Sequence, residues 1–109
     1  MTTSRQKAAG SAAERAVAKL LGGVRVGMDG GPVDVIVPGY LQLQVKNVKA
    51  MPSLLEVSKM IDKMFYVNYV ENVVLGMRAV VVIQRAGSGR RGSRTITFDL
   101  DDWAAWHGD

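Results

Sequence analysis

The stretch from Gly30 to Lys46, GGPVDVIVPGYLQLQVK, decides how the chain folds. Its β-branched and apolar residues are interrupted by Pro38-Gly39, a turn pair, so it predicts two adjoining β-strands. Asp34 falls on the first strand, and Gln44 and Lys46 on the second. Apart from Gln42, every other residue there is apolar or a turn former. Polar groups inside a sheet core are costly unless they are paired or hold an ion. Asp34, Gln44 and Lys46 are therefore the first candidates for chemistry.

Upstream, residues 5 to 21 are alanine-rich, and Ala13, Ala16, Val17 and Leu20 recur at helical spacing. That pattern predicts an amphipathic helix with Arg15 and Lys19 on its solvent side. Glu14 has two readings. With Ser11 it fits an S-x-x-E capping box, and on the helical wheel it lines up with Ala18 and Leu21, leaning toward the sheet. Both stand on the residues alone. Gly22 and Gly23 end the helix, and residues 24 to 26 form a short strand. The glycine-rich loop that follows, residues 27 to 32, lacks the spacing and the Lys-Ser/Thr pair of a phosphate-cradling P-loop.

Downstream, the second strand frays between Asn47 and Ala50, and Pro52 breaks the chain. Ser53 and Glu56 then open a second helix as a capping box. Leu54, Val57, Ile61, Met64 and Phe65 form its apolar stripe with Met60 beside them, while Lys59, Asp62 and Lys63 face outward. Residues 66 to 78 extend that helix or form a loop, with Asn72 and Gly76 as stops. Residues 79 to 84, AVVVIQ, predict a central strand buried on both faces. A helix joining two such strands predicts an α/β fold, a central mixed β-sheet flanked by helices.

Arg85, Arg90, Arg91 and Arg94 punctuate a Gly/Ser loop, a pattern suited to phosphate contacts because arginine binds phosphate bidentately. Residues 95 to 98 alternate as an edge strand. Asp99, Asp101 and Asp102 cap and charge the start of a short helix carrying Trp103 and Trp106, whose role is packing.

Composition narrows the function classes. The 109 residues make one domain of ordinary globular composition, 48% hydrophobic and 22% charged. A net charge of +4 favours polyanionic partners. With no cysteine and a single histidine, His107, thiol nucleophiles, zinc-thiolate centres and multi-histidine metal sites are excluded. No apolar run approaches the roughly 20 residues of a membrane span. No hydrophobic segment follows Arg5 and Lys7, so a cytoplasmic protein is the expectation.

Phosphodiester hydrolysis needs charge offset at phosphate and an activated water, and Mg²⁺ provides both through hard oxygen ligands. Asp34 offers a carboxylate and Gln44 an amide oxygen, and the Val45 carbonyl can add a third. Lys46, two residues on from Gln44, emerges on the same face, where it can orient water or stabilise phosphate charge.

Asp34, a spacer with a Pro-Gly turn, and Gln44-Val45-Lys46 resemble the D…(E/Q)xK core of the PD-(D/E)xK nuclease superfamily. MDGGPVD (residues 28–34) and LQVK (residues 43–46) are similar to the Mrr-type branch, where glutamine replaces glutamate. KAAGSAAER (residues 7–15) resembles the first helix of the archaeal-type Holliday junction resolvases. The resemblance covers roughly residues 5 to 66. It implies Glu14, Asp34 and Gln44 as side-chain metal ligands, Glu14 acting directly or through water, and Lys46 as the catalytic lysine. Mg²⁺, with Mn²⁺ as a substitute, is the implied cofactor, and a homodimer cutting a branched DNA junction the implied assembly. Gln44 is neutral where most resolvases carry glutamate, which predicts weaker metal binding. The family's loop serine has no counterpart between Arg25 and Asp34.

The expected function is therefore a Mg²⁺-dependent endonuclease resolving four-way junctions, with Arg25, Lys49, Arg85, Arg90, Arg91 and Arg94 contacting the DNA backbone. An Mrr-type duplex endonuclease and a non-catalytic DNA-binding protein on the nuclease fold are the alternatives.

Overall fold

The computed structural model describes residues 4–26, 31–67, 78–85 and 93–107. In chain order these form α1 (Ser4–Leu21), β1 (Val24–Arg25), β2 (Val35–Val37), β3 (Leu41–Val48), α2 (Leu54–Val67), β4 (Arg78–Arg85), β5 (Arg94–Phe98) and α3 (Leu100–His107). The strands make one sheet in the order β1-β2-β3-β4-β5. Neighbours run antiparallel except β3 and β4, which are parallel from Leu41↔Arg78 to Val48↔Arg85. A parallel pair needs a crossover, and α2 provides it. The result is the expected α/β fold with a central mixed sheet flanked by helices.

Alternation along β3 and β4 sends side chains to two faces, and each face has its own core. On one, Ala13, Val17 and Ala18 of α1 pack against Val35, Leu43, Val45, Val80 and Val82. On the other, Val57, Ile61 and Met64 of α2 pack with Val33, Ala79, Val81 and Ile83. Ala79 to Ile83 are buried without a break, as a strand covered on both faces requires.

The turns follow from local chemistry. Gly22 has a positive φ of 69°, and the Gly23 N–H donates to the Ala18 carbonyl at 2.8 Å, so α1 ends in a Schellman motif. Any Cβ on Gly23 would lie 2.9 Å from the Ile36 carbonyl oxygen, so the chain must pass β2 without a side chain there. Between β2 and β3, the Tyr40 N–H donates to the Val37 carbonyl at 2.9 Å. Pro38 and Gly39, with φ 80°, supply the central residues of a type II turn. Ser53 Oγ accepts from the Glu56 N–H at 3.2 Å and Asp99 Oδ1 from the Asp102 N–H at 3.1 Å, so both expected helix caps form. Trp103 packs edge-on against Phe98, with centroids 4.9 Å apart.

Several expectations are corrected. Ser11 lies well inside α1, so it caps nothing and the capping-box reading of Glu14 falls. The buried stripe of α1 includes Ala18 rather than Ala16 or Leu20; Leu20 is 68% exposed. Leu54, expected in the α2 stripe, is 80% exposed at the helix start. β3 continues regularly through Asn47 to Val48 instead of fraying. Arg85 and Arg94 belong to strands, and the Arg85 N–H donates to the Ser93 carbonyl at 3.1 Å, closing the hairpin beneath the loop. Arg90, Arg91, the glycines at 27 and 30, Asn72 and Gly76 lie outside the described residues, as do the side chains of Trp106 and His107.

Candidate functional site

The site grows from an asymmetry in β3. On one flank β4 accompanies the whole strand, while on the other β2 pairs only with Leu41, Gln42 and Leu43. Where β2 gives out, Asp34 takes over. Its N–H donates to the Leu43 carbonyl at 2.8 Å, although Leu43 is already the register partner of Val35. Two residues thus face one, a bulge-like step that re-aims a side chain. The re-aimed carboxylate accepts a hydrogen bond from the Val45 N–H, Oδ2 to N 2.8 Å, standing in for a main-chain acceptor. On the other side the Asp34 carbonyl accepts from the Val26 N–H at 2.9 Å, so the residue is tied to both neighbouring strands.

In a strand, the N–H and C=O of one residue point to the same neighbour. The Val45 carbonyl is therefore directed to the flank where Asp34 sits. Gln44 and Lys46 alternate with Val45, so their side chains share the α2 face, and both are half-buried. From the opposite face α1 presents Glu14, half-buried beside Ala13 and Val17. Arg25 of β1 donates from Nη2 to Glu14 Oε1 at 3.4 Å. This contact agrees with Glu14 leaning toward the sheet.

The four charges meet at Asp34. Burial pushes its carboxyl above the ordinary value, and the Val45 N–H acts against that by stabilising the ionised form. Glu14 adds to the rise, while Lys46 and Arg25 oppose it. A carboxylate whose ionisation is opposed by burial and by a neighbouring carboxylate is one that a cation would relieve.

Glu14, Asp34 and Lys46 are thus brought within electrostatic reach, with Gln44 on the face of Lys46 and the Val45 carbonyl on the flank of Asp34. The premise of three polar side chains inside the core needs correction: all three are half-buried at its margin. The one fully buried polar residue among those described is Gln42, at 1% exposure. Arg25, expected at phosphate, also reaches Glu14, at 3.4 Å. Its membership had no local signal, since it is eleven residues from Glu14 across a chain reversal. Lys49 and Arg85 are exposed beyond and at the end of their strands, and Arg94 is half-buried at the start of β5.

Among the described residues no group of three His, Cys, Asp or Glu side chains could hold a metal ion. The donors here are two carboxylates, an amide and a main-chain carbonyl. All are hard oxygens, which fit a Mg²⁺-type ion that retains water, though with one negative charge fewer than a three-carboxylate set. No helix among the described residues is long and apolar enough to cross a membrane. Comparison with known proteins finds no family model, no curated protein and no solved structure that matches the chain.

Proposed function

We propose that the chain is a Mg²⁺-dependent DNA endonuclease of the PD-(D/E)xK type that resolves four-way junctions. The observation that carries this reading is the junction of Asp34 with Val45. A half-buried carboxylate is bonded to the main chain of β3 where β2 ends, within electrostatic reach of Glu14 and Lys46.

In this reading Asp34, Glu14, the Gln44 amide and the Val45 carbonyl would hold the ion. Bound Mg²⁺ supplies Lewis acidity toward a phosphodiester and lowers the pKa of water. Lys46 donates hydrogen bonds to a phosphate oxygen or to the attacking water, offsetting charge as it builds. Arg25 shields Glu14 and orients it. Lys49 and the arginines at 85 and 94 extend a positive surface for the DNA backbone, and a second copy of the chain makes the second cut.

The test compares a four-way junction with a matching linear duplex in Mg²⁺. Preferential junction cutting, lost in Asp34→Ala and Lys46→Ala, supports the proposal. Equal cutting of the duplex supports a duplex endonuclease in its place. Junction binding without cutting in Mg²⁺ or Mn²⁺ supports a non-catalytic DNA-binding protein, for which the neutral Gln44 is the specific argument.

A further inference from the structure

A cleft of about 360 Å³ opens at the C-terminal end of the parallel pair β3 and β4. Crevices at the carboxyl ends of parallel strands are where open α/β sheets bind ligands. Its apolar lining comes from Val48, Ala50, Met51 and Ile83, and its polar lining from Lys49 and Arg85, with Ser93 and Thr95 on the β5 side. The Val48↔Arg85 register brings Lys49 and Arg85 to adjacent strand ends. Among the described residues neither cation has a carboxylate partner and no acidic residue lines the cleft.

We infer that this cleft is a nucleoside-phosphate subsite, with the base over Val48 and Met51 and the phosphate between Lys49 and Arg85. The volume falls within the roughly 300–1,000 Å³ of small-ligand sites. An apolar lining beside two cations matches a planar base joined to a phosphate better than it matches phosphate alone. Ser93 and Thr95 offer hydroxyls to sugar or base edges.

The position supplies the link to a strand, and that link rests on the proposed nuclease reading. Lys46 pairs with Ile83, which lines the cleft, and shares its sheet face with Val48. Val48 is about 6.6 Å further along β3 at roughly 3.3 Å per residue. DNA rises about 3.4 Å per nucleotide. A strand with a phosphate at Lys46 therefore lays a nucleotide one or two positions away over the cleft.

The test uses the whole chain with dAMP, inorganic phosphate and a short single strand as probes, read by calorimetry. Saturable dAMP binding is expected, with phosphate about tenfold weaker. Lys49→Ala with Arg85→Ala should lower dAMP affinity about tenfold or more, and Ser93→Trp should block it. These residues are exposed, so the fold survives their replacement. The single strand should bind more tightly than dAMP, with the excess lost in Lys46→Ala. Absence of saturable dAMP binding, equal affinity for phosphate, or indifference to the double substitution overturns the subsite. A single strand that binds no more tightly than dAMP overturns the link to a strand. Asp34→Ala should keep dAMP binding; if that variant still cuts DNA, the nuclease reading fails while the dAMP result stands.

Discussion

The two flanks of β3 are built for different ends. Toward β4 the strand is paired along its full length, and the neighbouring residues Ala79 to Ile83 are sealed from water. Toward β2 the pairing stops after three residues, and a single carboxylate, Asp34, fills the gap. The first arrangement maximises apolar burial and satisfied main-chain groups. The second leaves Asp34 with a raised pKa and a half-buried Lys46 beside an open edge. A half-buried carboxylate with a raised pKa beside a lysine is the kind of arrangement found at sites that act on a ligand.

The largest effect should come from breaking the sealed side. Ile83 of β4 is buried, so Ile83→Ala should cost about 2–5 kcal/mol in denaturant unfolding. Lys46→Ala, at the open edge, should cost less than about 1 kcal/mol in the same assay. Comparable losses in the two variants would mean that the flanks do not differ as described.

A smaller change sharpens the open side. Gln44→Glu adds a carboxylate on the sheet face of Lys46 and should tighten Mn²⁺ binding about tenfold, measured by titration calorimetry. Unchanged affinity would place position 44 outside the ion's reach.

The smallest expected effect concerns pH. Burial and Glu14 raise the folded-state pKa of Asp34 above 3.8, so its ionisation favours the unfolded chain. Stability from this group is full below pH 3.8 and is lost as pH rises through the folded value. Asp34→Asn keeps an acceptor for the Val45 N–H and removes the charge. It should raise the unfolding midpoint at pH 7 and give no gain below the ordinary carboxylate range. A loss of stability at pH 7 would mean that the ionised carboxylate holds the hairpin together.

Much of this architecture was legible because its signals are local. The stripe Val57, Ile61 and Met64, the run Ala79 to Ile83, the Pro38-Gly39 turn and the caps at Ser53 and Asp99 all depend on near neighbours. The errors lie where distant contacts decide. In alanine-rich α1, small residues surround the helix, so the sequence pattern poorly defines its buried face. Ala18 faces the sheet and the larger Leu20 remains outside. Ser11 and Glu14 show a cap spacing, but such a spacing inside a longer helix is indistinguishable from a cap in sequence. Gln44 and Lys46 were readable as sharing one face of β3 from strand alternation. The partner of Glu14, the bulge-like step at Asp34 and the cleft lined by Lys49 and Arg85 required the register of strands far apart in the chain.

The central claim is that the open edge of β3 carries a metal-dependent nuclease site. The direct measurement is single-turnover cleavage of a four-way junction in Mg²⁺ by wild type, Asp34→Ala and Lys46→Ala, at protein concentrations where all three bind the junction. The account predicts cutting by wild type and a fall of about 10²-fold or more in each variant, with folding retained. Cutting at wild-type rate by either variant, or no cutting by wild type in Mg²⁺ or Mn²⁺, would contradict it.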